Sequence, residues 1–321
     1  MKRIKLLMFS VVVIAMIIST LSGCGLVRKT PNESDKSIVA KVDGEAITKK
    51  EFDKAFEVFK TKVEMKQGPD IWDKDYKGRK YIDLAKEDVL EQIIQEKIQL
   101  KKAEEMQVIV NQSEVDTEYD KFKKIFNSDE KFIEFLASLK IDEEYFKDSI
   151  KKDLTISKLK EKMTENAEIS EEEIAVFYNS HMDMFYRVKA SHILLETEDE
   201  AKKILERVKA GEDFNNLAKE YSTDPSVKEN NGDLGYFRHG DMVEEFETAA
   251  FALKPGEISE LVKSQYGYHI IKVEDKKIDK LEDVKDELKT NMIMEKKNED
   301  YNKAFEEMYT KAKIEKYTEN L

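Results

Sequence analysis

Cysteine is all but missing from this 321-residue chain: Cys24 is the only one, so no intrachain disulfide can form. Proline (4) and glycine (11) are also scarce, which argues against a turn-rich β fold and for long helices. The few glycines are uneven, with Gly211, Gly232, Gly235, Gly240, Gly256 and Gly267 crowded into one stretch, so the tight turns of an α/β unit belong there. Excess positive charge is absent too. Residues 1–23 carry Lys2, Arg3 and Lys5 and no acid, so the net charge of −13 leaves −16 on the remainder. A polyanion of that size repels phosphate backbones, which excludes nucleic acid as a partner. The most apolar run, Leu6–Ile18 interrupted by Ser10, is shorter than the roughly 20 residues a membrane-crossing helix needs.

That run is instead laid out as a secretory signal peptide over 1–23: a basic Met1–Lys5, the apolar segment, then small residues. Leu21-Ser22-Gly23-Cys24 resembles the lipobox of bacterial lipoproteins. The resemblance implies a lipid on the Cys24 thiol, cleavage ahead of it, and a mature protein on the outer face of the bacterial cytoplasmic membrane. Two acyl chains would anchor it stably where one would not. Residues 24–37 are polar, contain Pro31 and show no apolar period, as a tether does.

Helical patterning occupies 38–186 and 278–321. Ile38–Val42 and Glu45–Ile47 flank Asp43-Gly44, a hairpin signal. Thr48 and Glu51 form a capping box ahead of the stripe Phe52, Ala55, Phe56 and Phe59. Helices are expected over 81–106, from Ser113, over 142–162, and from the Ser170/Glu173 box. Leu281, Val284 and Leu288 open a last helix whose pattern runs on through Tyr301, Phe305 and Met308. Such a helix has to bury its stripe, and the N-terminal helices are the surface on offer. In 66–79, Trp72 reads as ordinary packing in preference to a lip facing a client.

Residues 187–277 are α/β. Strands are expected at 187–195, 234–237, 257–262 and 268–274, with helices from Thr197, at 213–221 and at 243–253. Alternation puts His192 in step with Val188 and Ala190, and His269 in step with Ile271 and Val273, so each imidazole lies on an apolar side of its strand. A lone strand histidine is more often a core residue than a catalyst; two of them here change the balance.

In order, Ala190-Ser191-His192-Ile193-Leu194, Gly232-Asp233-Leu234-Gly235, Met242, Phe246 and Gly267-Tyr268-His269 resemble the parvulin-type peptidyl-prolyl cis/trans isomerases over about 90 residues. The resemblance implies catalytic His192, Asp224 and His269 joined in one hydrogen-bonded network, and a proline slot of Leu234, Met242 and Phe246. Ser264 is placed as a support for His269. The resemblance calls for no cofactor and no metal, and zinc ligand spacing is missing among His192, Asp224 and His269. Parvulins that read phosphorylated substrates carry a basic loop after the first strand, whereas Glu196-Thr197-Glu198-Asp199-Glu200 would repel phosphate. His181 and His239 match nothing in the family pattern and are expected at the surface.

The whole layout resembles the PrsA-type foldase lipoproteins and SurA-type chaperones. The expected fold class is α+β, a parvulin-like α/β domain inserted into a mostly helical chaperone domain, with bounds at 38–186, 187–277 and 278–321. The function implied is a membrane-anchored foldase isomerising X-Pro bonds in unfolded exported proteins, with a homodimer left open. The competing reading is a non-enzymatic holdase that uses the parvulin fold only to bind clients. A solute-binding lipoprotein would need a second α/β lobe, which nothing outside 187–277 supplies.

Overall fold

The computed structural model describes residues 38–76 and 78–321. The expected signal peptide, Cys24 lipid site and tether lie outside the described residues. The observed class is the α+β expected, and the chain divides into two compact units, one formed by the residues up to Ala167 with Lys296–Leu321, the other by Glu168–Glu295.

In the first unit, strands β1 (Ile38–Val42) and β2 (Glu45–Thr48) pair through a turn whose two residues, Asp43 and Gly44, both have positive φ (51° and 87°). That is the two-residue turn whose twist suits a hairpin. Helix α1 (Lys49–Gln67) starts from the Thr48/Glu51 capping box. A single 3-10 turn (Pro69–Asp73) and the minimal strands β3 (Asp75–Tyr76) and β4 (Arg79–Lys80) lead into α2 (Tyr81–Glu105). Trp72 is buried, packs against Phe56, Phe59 and Tyr81, and donates its Nε1–H to Glu64 at 2.8 Å, so it is packing, as expected.

Helix α3 (Gln112–Lys123) is capped by Asn111 and not by Ser113: the Asn111 side chain takes the Glu114 N–H while Glu114 returns to the Asn111 N–H. Ser113 spends its hydroxyl on Asn111, which is why its sequence signal points two residues too far along. Helices α4 (Asp129–Ser138) and α5 (Glu143–Met163) follow, opened by Ser128 and Asp142.

The second unit begins with α6 (Glu171–Ser180), boxed by Ser170 and Glu173. Strand β5 (Tyr186–Leu195) leads to α7 (Glu198–Lys209), α8 (Phe214–Tyr221) and the one-turn α9 (Val227–Asn230). Then come β6 (Asp233–Phe237), α10 (Glu244–Ala252), β7 (Val262–Ser264) and β8 (Gly267–Ile278). The four strands make one antiparallel sheet in the order β6-β5-β8-β7. The strand expected at 257–262 shrinks to one bridge, Ile258 to Lys272, before the three-residue β7. Pro255-Gly256 turns the chain too close to that point for a longer ladder.

Period-two alternation gives this sheet two different faces. Ile193, Leu195 and Ile270 point to α7 and α8 and form a core with Ile204, Leu205, Phe214 and Leu217. Each such fully buried side chain is worth about 1.5–3 kcal/mol relative to exposure. Val188, Ala190, Ile271 and Val273 point the other way, against Phe237, Phe246 and Ala250. The unit is wider than its motifs because Ile174 of α6 and Phe185 bury against Val284 and Leu288.

Those last two residues belong to α11 (Leu281–Lys311), whose later residues Tyr301 and Phe305 serve the first unit. Strand β9 (Ile314–Lys316) closes that unit by pairing with β1 in the sheet order β2-β1-β9, over a core of Val39, Val42, Ile47, Phe52, Leu90 and Ile94. Among the described residues no helix is long and apolar enough to cross a membrane.

Candidate active site

Register decides where the two histidines meet. On the β5/β8 ladder His192 lies opposite Ile271 and Leu194 opposite His269, so the imidazoles are diagonal neighbours on the α10 face. Both are buried, His192 at 5% and His269 at 4% exposure, and their Nδ1 atoms are 3.3 Å apart. His192 Nε2 meets Asp224 Oδ2 at 2.7 Å, and His269 Nε2 meets Ser264 Oγ at 2.7 Å. Asp224, placed by family resemblance in a loop 32 residues away in sequence, is therefore brought to the pair, and so is Ser264.

The network fixes its own direction. The ionised Asp224 can only accept, so the relay runs toward it from the Ser264 O–H, which donates to His269 Nε2 while the Ser264 oxygen takes the Tyr266 backbone N–H at 3.1 Å. His269 then carries its proton on Nδ1 and donates it to His192 Nδ1. His192 in turn carries its proton on Nε2 and donates it to Asp224. This assignment uses every ring nitrogen once and needs both rings neutral. The electrostatics agree: burial, reinforced by the neighbouring His192, pushes His269 down to about 4. Burial also lowers His192, although Asp224 pulls the other way. Partial burial would raise the Asp224 carboxyl, but the Ser226 N–H and O–H and His192 outweigh it and hold it below the ordinary carboxylate range.

Backbone contacts hold the frame. Gly232 accepts the His192 N–H at 2.9 Å, has φ +87°, and approaches so closely that a Cβ there would lie 2.7 Å from the His192 oxygen. Only glycine fits that contact. Ser222 Oγ takes the Leu194 N–H at 3.0 Å, and Asp224 Oδ1 takes the Ser226 N–H at 2.9 Å. The sequence reading missed both serines. The Asp-x-Ser spacing carried a signal for Ser226, since an Asp side chain commonly closes such a turn two residues on. Ser222 carried none.

Over this relay sits Phe246. Its ring is nearly perpendicular to both imidazoles, with centroids 5.8 Å from His192 and 5.4 Å from His269, and it is 2% exposed. Leu234 and Met242 pack against the same cluster and are half-buried. The arrangement is thus an apolar lining above a neutral, fully engaged polar floor. No imidazole N–H remains free to donate to an incoming carbonyl. His181 and His239 stay exposed, stacked on Phe177 and Phe251. Among the described residues no three His, Cys, Asp or Glu side chains gather as a metal site would require.

The first unit carries a cleft of about 1210 Å³ between α1, α2 and α5. Six lysines and six acids share its walls with Ile47, Phe56, Ile93, Leu100 and Tyr145.

Comparison with known proteins follows the same division. The model of a PPIC-type PPIASE domain matches residues 154–277, and that of a SurA-like N-terminal domain matches residues 1–160. The chain is 39% identical over 286 residues to the foldase protein PrsA of Caldanaerobacter subterraneus subsp. tengcongensis, covering 88% of each. It is 37% identical over 336 residues to the foldase protein PrsA of Clostridium botulinum (strain Langeland), covering 100% of both. The crystal structure of a peptidylprolyl isomerase (PrsA) from Bacillus anthracis is 32% identical and covers 67% of this chain and 96% of its own, with a TM-score of 0.37.

Proposed function

The chain belongs to the PrsA foldase family and is a parvulin-type peptidyl-prolyl isomerase that assists folding; from that premise we propose that it works outside the cytoplasm. There, a lipid on Cys24 holds it to the membrane, and it turns X-Pro bonds in newly exported, unfolded proteins. Its catalytic residues are His192, Asp224 and His269, and its proline slot is Leu234, Met242 and Phe246. One observation carries the assignment of the site: the Asp224–His192–His269–Ser264 relay lies closed beneath Phe246.

The chemistry follows from what amide rotation needs. Resonance sets a barrier of roughly 18–20 kcal/mol, and no bond has to break. A catalyst must bind the twisted amide better than either planar form. Twisting returns the lone pair to nitrogen and takes negative charge off the carbonyl oxygen. A donor aimed at that oxygen would favour the planar form. The relay here spends every imidazole proton internally, so the oxygen meets no N–H from it. Leu234, Met242 and Phe246 meanwhile offer the pyrrolidine ring apolar contact. The acidic segment Glu196–Glu200 supports unmodified X-Pro, and not phosphorylated Ser-Pro or Thr-Pro, as the substrate. The anchoring is supported by the signal peptide and lipobox of the sequence.

A proline-limited refolding assay tests the site. His269→Ala is expected to lower kcat/KM by about 10²-fold or more, the size typical of losing a positioned polar group. A rate equal to the native protein's would overturn the catalytic role of His269, and a native rate no faster than the uncatalysed reaction would leave only holding without turnover. A phosphopeptide turned over faster than its unphosphorylated twin would refute the substrate class. For the anchor, Cys24→Ala is expected to leave an uncleaved precursor without lipid, and a normally processed, lipid-bearing variant would refute it.

A further inference from the structure

Met242 lies in the loop between β6 and α10, and the sequence gives that loop little of its own to hold it. Gly240 has φ +93°, and the segment has no regular structure until Glu244. What holds it is Glu247, a buried side chain on the first turns of α10, one residue beyond Phe246. One carboxyl oxygen of Glu247 accepts two backbone donors, the Gly240 N–H at 2.7 Å and the Met242 N–H at 2.9 Å. The other faces His239 Nδ1 at 3.6 Å, and the His239 ring is stacked on Phe251, one turn further along α10, at 3.6 Å between centroids. The near end of the loop is fixed separately: the Arg238 N–H donates to Asp241 and its guanidinium to Asp279.

We propose that Glu247 is a positioning residue for the isomerase, clamping the Gly240 and Met242 amides so that α10 sets both the Phe246 and the Met242 parts of the apolar lining of the proline slot. The inference rests on the reading of Leu234, Met242 and Phe246 as that slot. Burying a carboxyl group against a surface loop is costly unless its oxygens are used. Here one oxygen is used on the backbone of the loop that carries the wall, and the other faces His239. The clamp removes conformations in which Met242 swings away, so a substrate meets a formed slot and does not have to order it. The contribution is the same for planar and twisted prolyl bonds, so it belongs in KM and not in kcat.

The test compares Glu247→Ala, Glu247→Gln and Phe246→Ala in the full-length protein on an X-Pro peptide, with KM and kcat resolved. Glu247→Ala is expected to raise KM about tenfold with kcat within about twofold, the size of one lost buried hydrogen bond to a charged group. Glu247→Gln keeps an oxygen for both amides and is expected to restore KM to within about twofold. A Met242→Ala, Glu247→Ala double variant should lose no more than Met242→Ala alone, because the clamp acts through that side chain. If Glu247→Ala does not fold, Glu247→Asp, which withdraws the oxygen by one methylene, is judged by the same criteria. An unchanged KM, a glutamine variant as impaired as alanine, or additive losses in the double variant would each overturn the proposal. Phe246→Ala separates the two layers. If it leaves catalysis intact, the slot reading fails; if it abolishes catalysis while Glu247→Ala changes nothing, only the clamp fails.

Discussion

The two units treat polar side chains in opposite ways. In the isomerase unit four of them, Asp224, His192, His269 and Ser264, form a single directed chain, mostly out of water, in which each ring nitrogen has one partner. Around the cleft of the helical unit the charges are many, exposed and interchangeable: Lys140 with Glu57, Lys60 with Glu64, Lys152 with both Glu96 and Asp148. A fixed network can favour one transient geometry of one bond. A wall of weak, alternating charges has no such selectivity, and it suits contact with many different chains. Selectivity and adaptability therefore draw on different physical resources, and cutting the same kind of group in each unit separates them.

The sharpest cut is a buried phenyl ring removed from each. Phe246 (2% exposed) touches both imidazoles, while Phe132 (0%) fills the aromatic cluster of α3, α4 and α5 with Tyr119, Phe122 and Phe146. Either ring replaced by alanine is expected to cost about 3–5 kcal/mol of stability in its own unit. Isomerase activity should collapse only in Phe246→Ala. Circular dichroism with a peptide assay reads both effects, and equal loss of activity in Phe132→Ala would erase the division of labour.

Acid sharpens the comparison further because its sign differs between the units. His269 and His192 titrate below the ordinary 6.5, His269 at about 4, so between those values the unfolded chain binds more protons than the folded one. Stability from the pair is therefore complete above pH 7 and falls as pH drops from 6.5 toward 4. In the helical unit desolvation and the nearby Glu96 push Asp153 up to about 6, so there the folded form binds more protons. That carboxyl stabilises as pH falls from 6 toward 3.8, though its contact with solvent makes the effect the smaller one. Trp72, the only tryptophan, lies in the helical unit and reports its unfolding alone. Ring protons of His192 and His269 report the other. From pH 7 to pH 5 the histidine-tracked urea midpoint is expected to fall while the tryptophan-tracked one holds or rises; parallel falls would contradict the assignment.

How far the site was legible follows from the range of each interaction. Alternation along single strands was enough to put His192 and His269 each on an apolar side of its strand, since that information is local. It did not give their 3.3 Å approach, which depends on the β5/β8 register. Asp224 entered by family resemblance alone; nothing in residues 222–226 announces an imidazole partner 32 residues back. Glu247 was invisible for a physical reason. An acid in the first turns of a helix is the ordinary pattern for the dipole, so its burial raised no signal. The added parts of the second compact unit were hidden likewise, because α6 reads as one more amphipathic helix until Ile174 and Phe185 are seen against Val284 and Leu288.

The smallest effect is expected where the cleft looks most tightly strapped. Lys140 sits in the left-handed region (φ 58°) between α4 and α5, its carbonyl takes the Lys54 ammonium, and its own ammonium reaches Glu57 of α1 at 3.2 Å. Two contacts at one strained residue suggest a lock. Yet all three side chains meet water, and ion pairs of that kind are worth about 0–1 kcal/mol because solvent and salt compete for each partner. Glu57→Gln is thus expected to shift the Trp72-tracked stability by less than about 1 kcal/mol and to leave the isomerase rate unchanged. Raising the salt concentration should reproduce the same small shift in the native protein. A loss approaching that of Phe132→Ala would mean that the strap is structural and the cleft rigid. A small loss means that the wall can open and re-form around a client at little cost, which the relay beneath Phe246 cannot do.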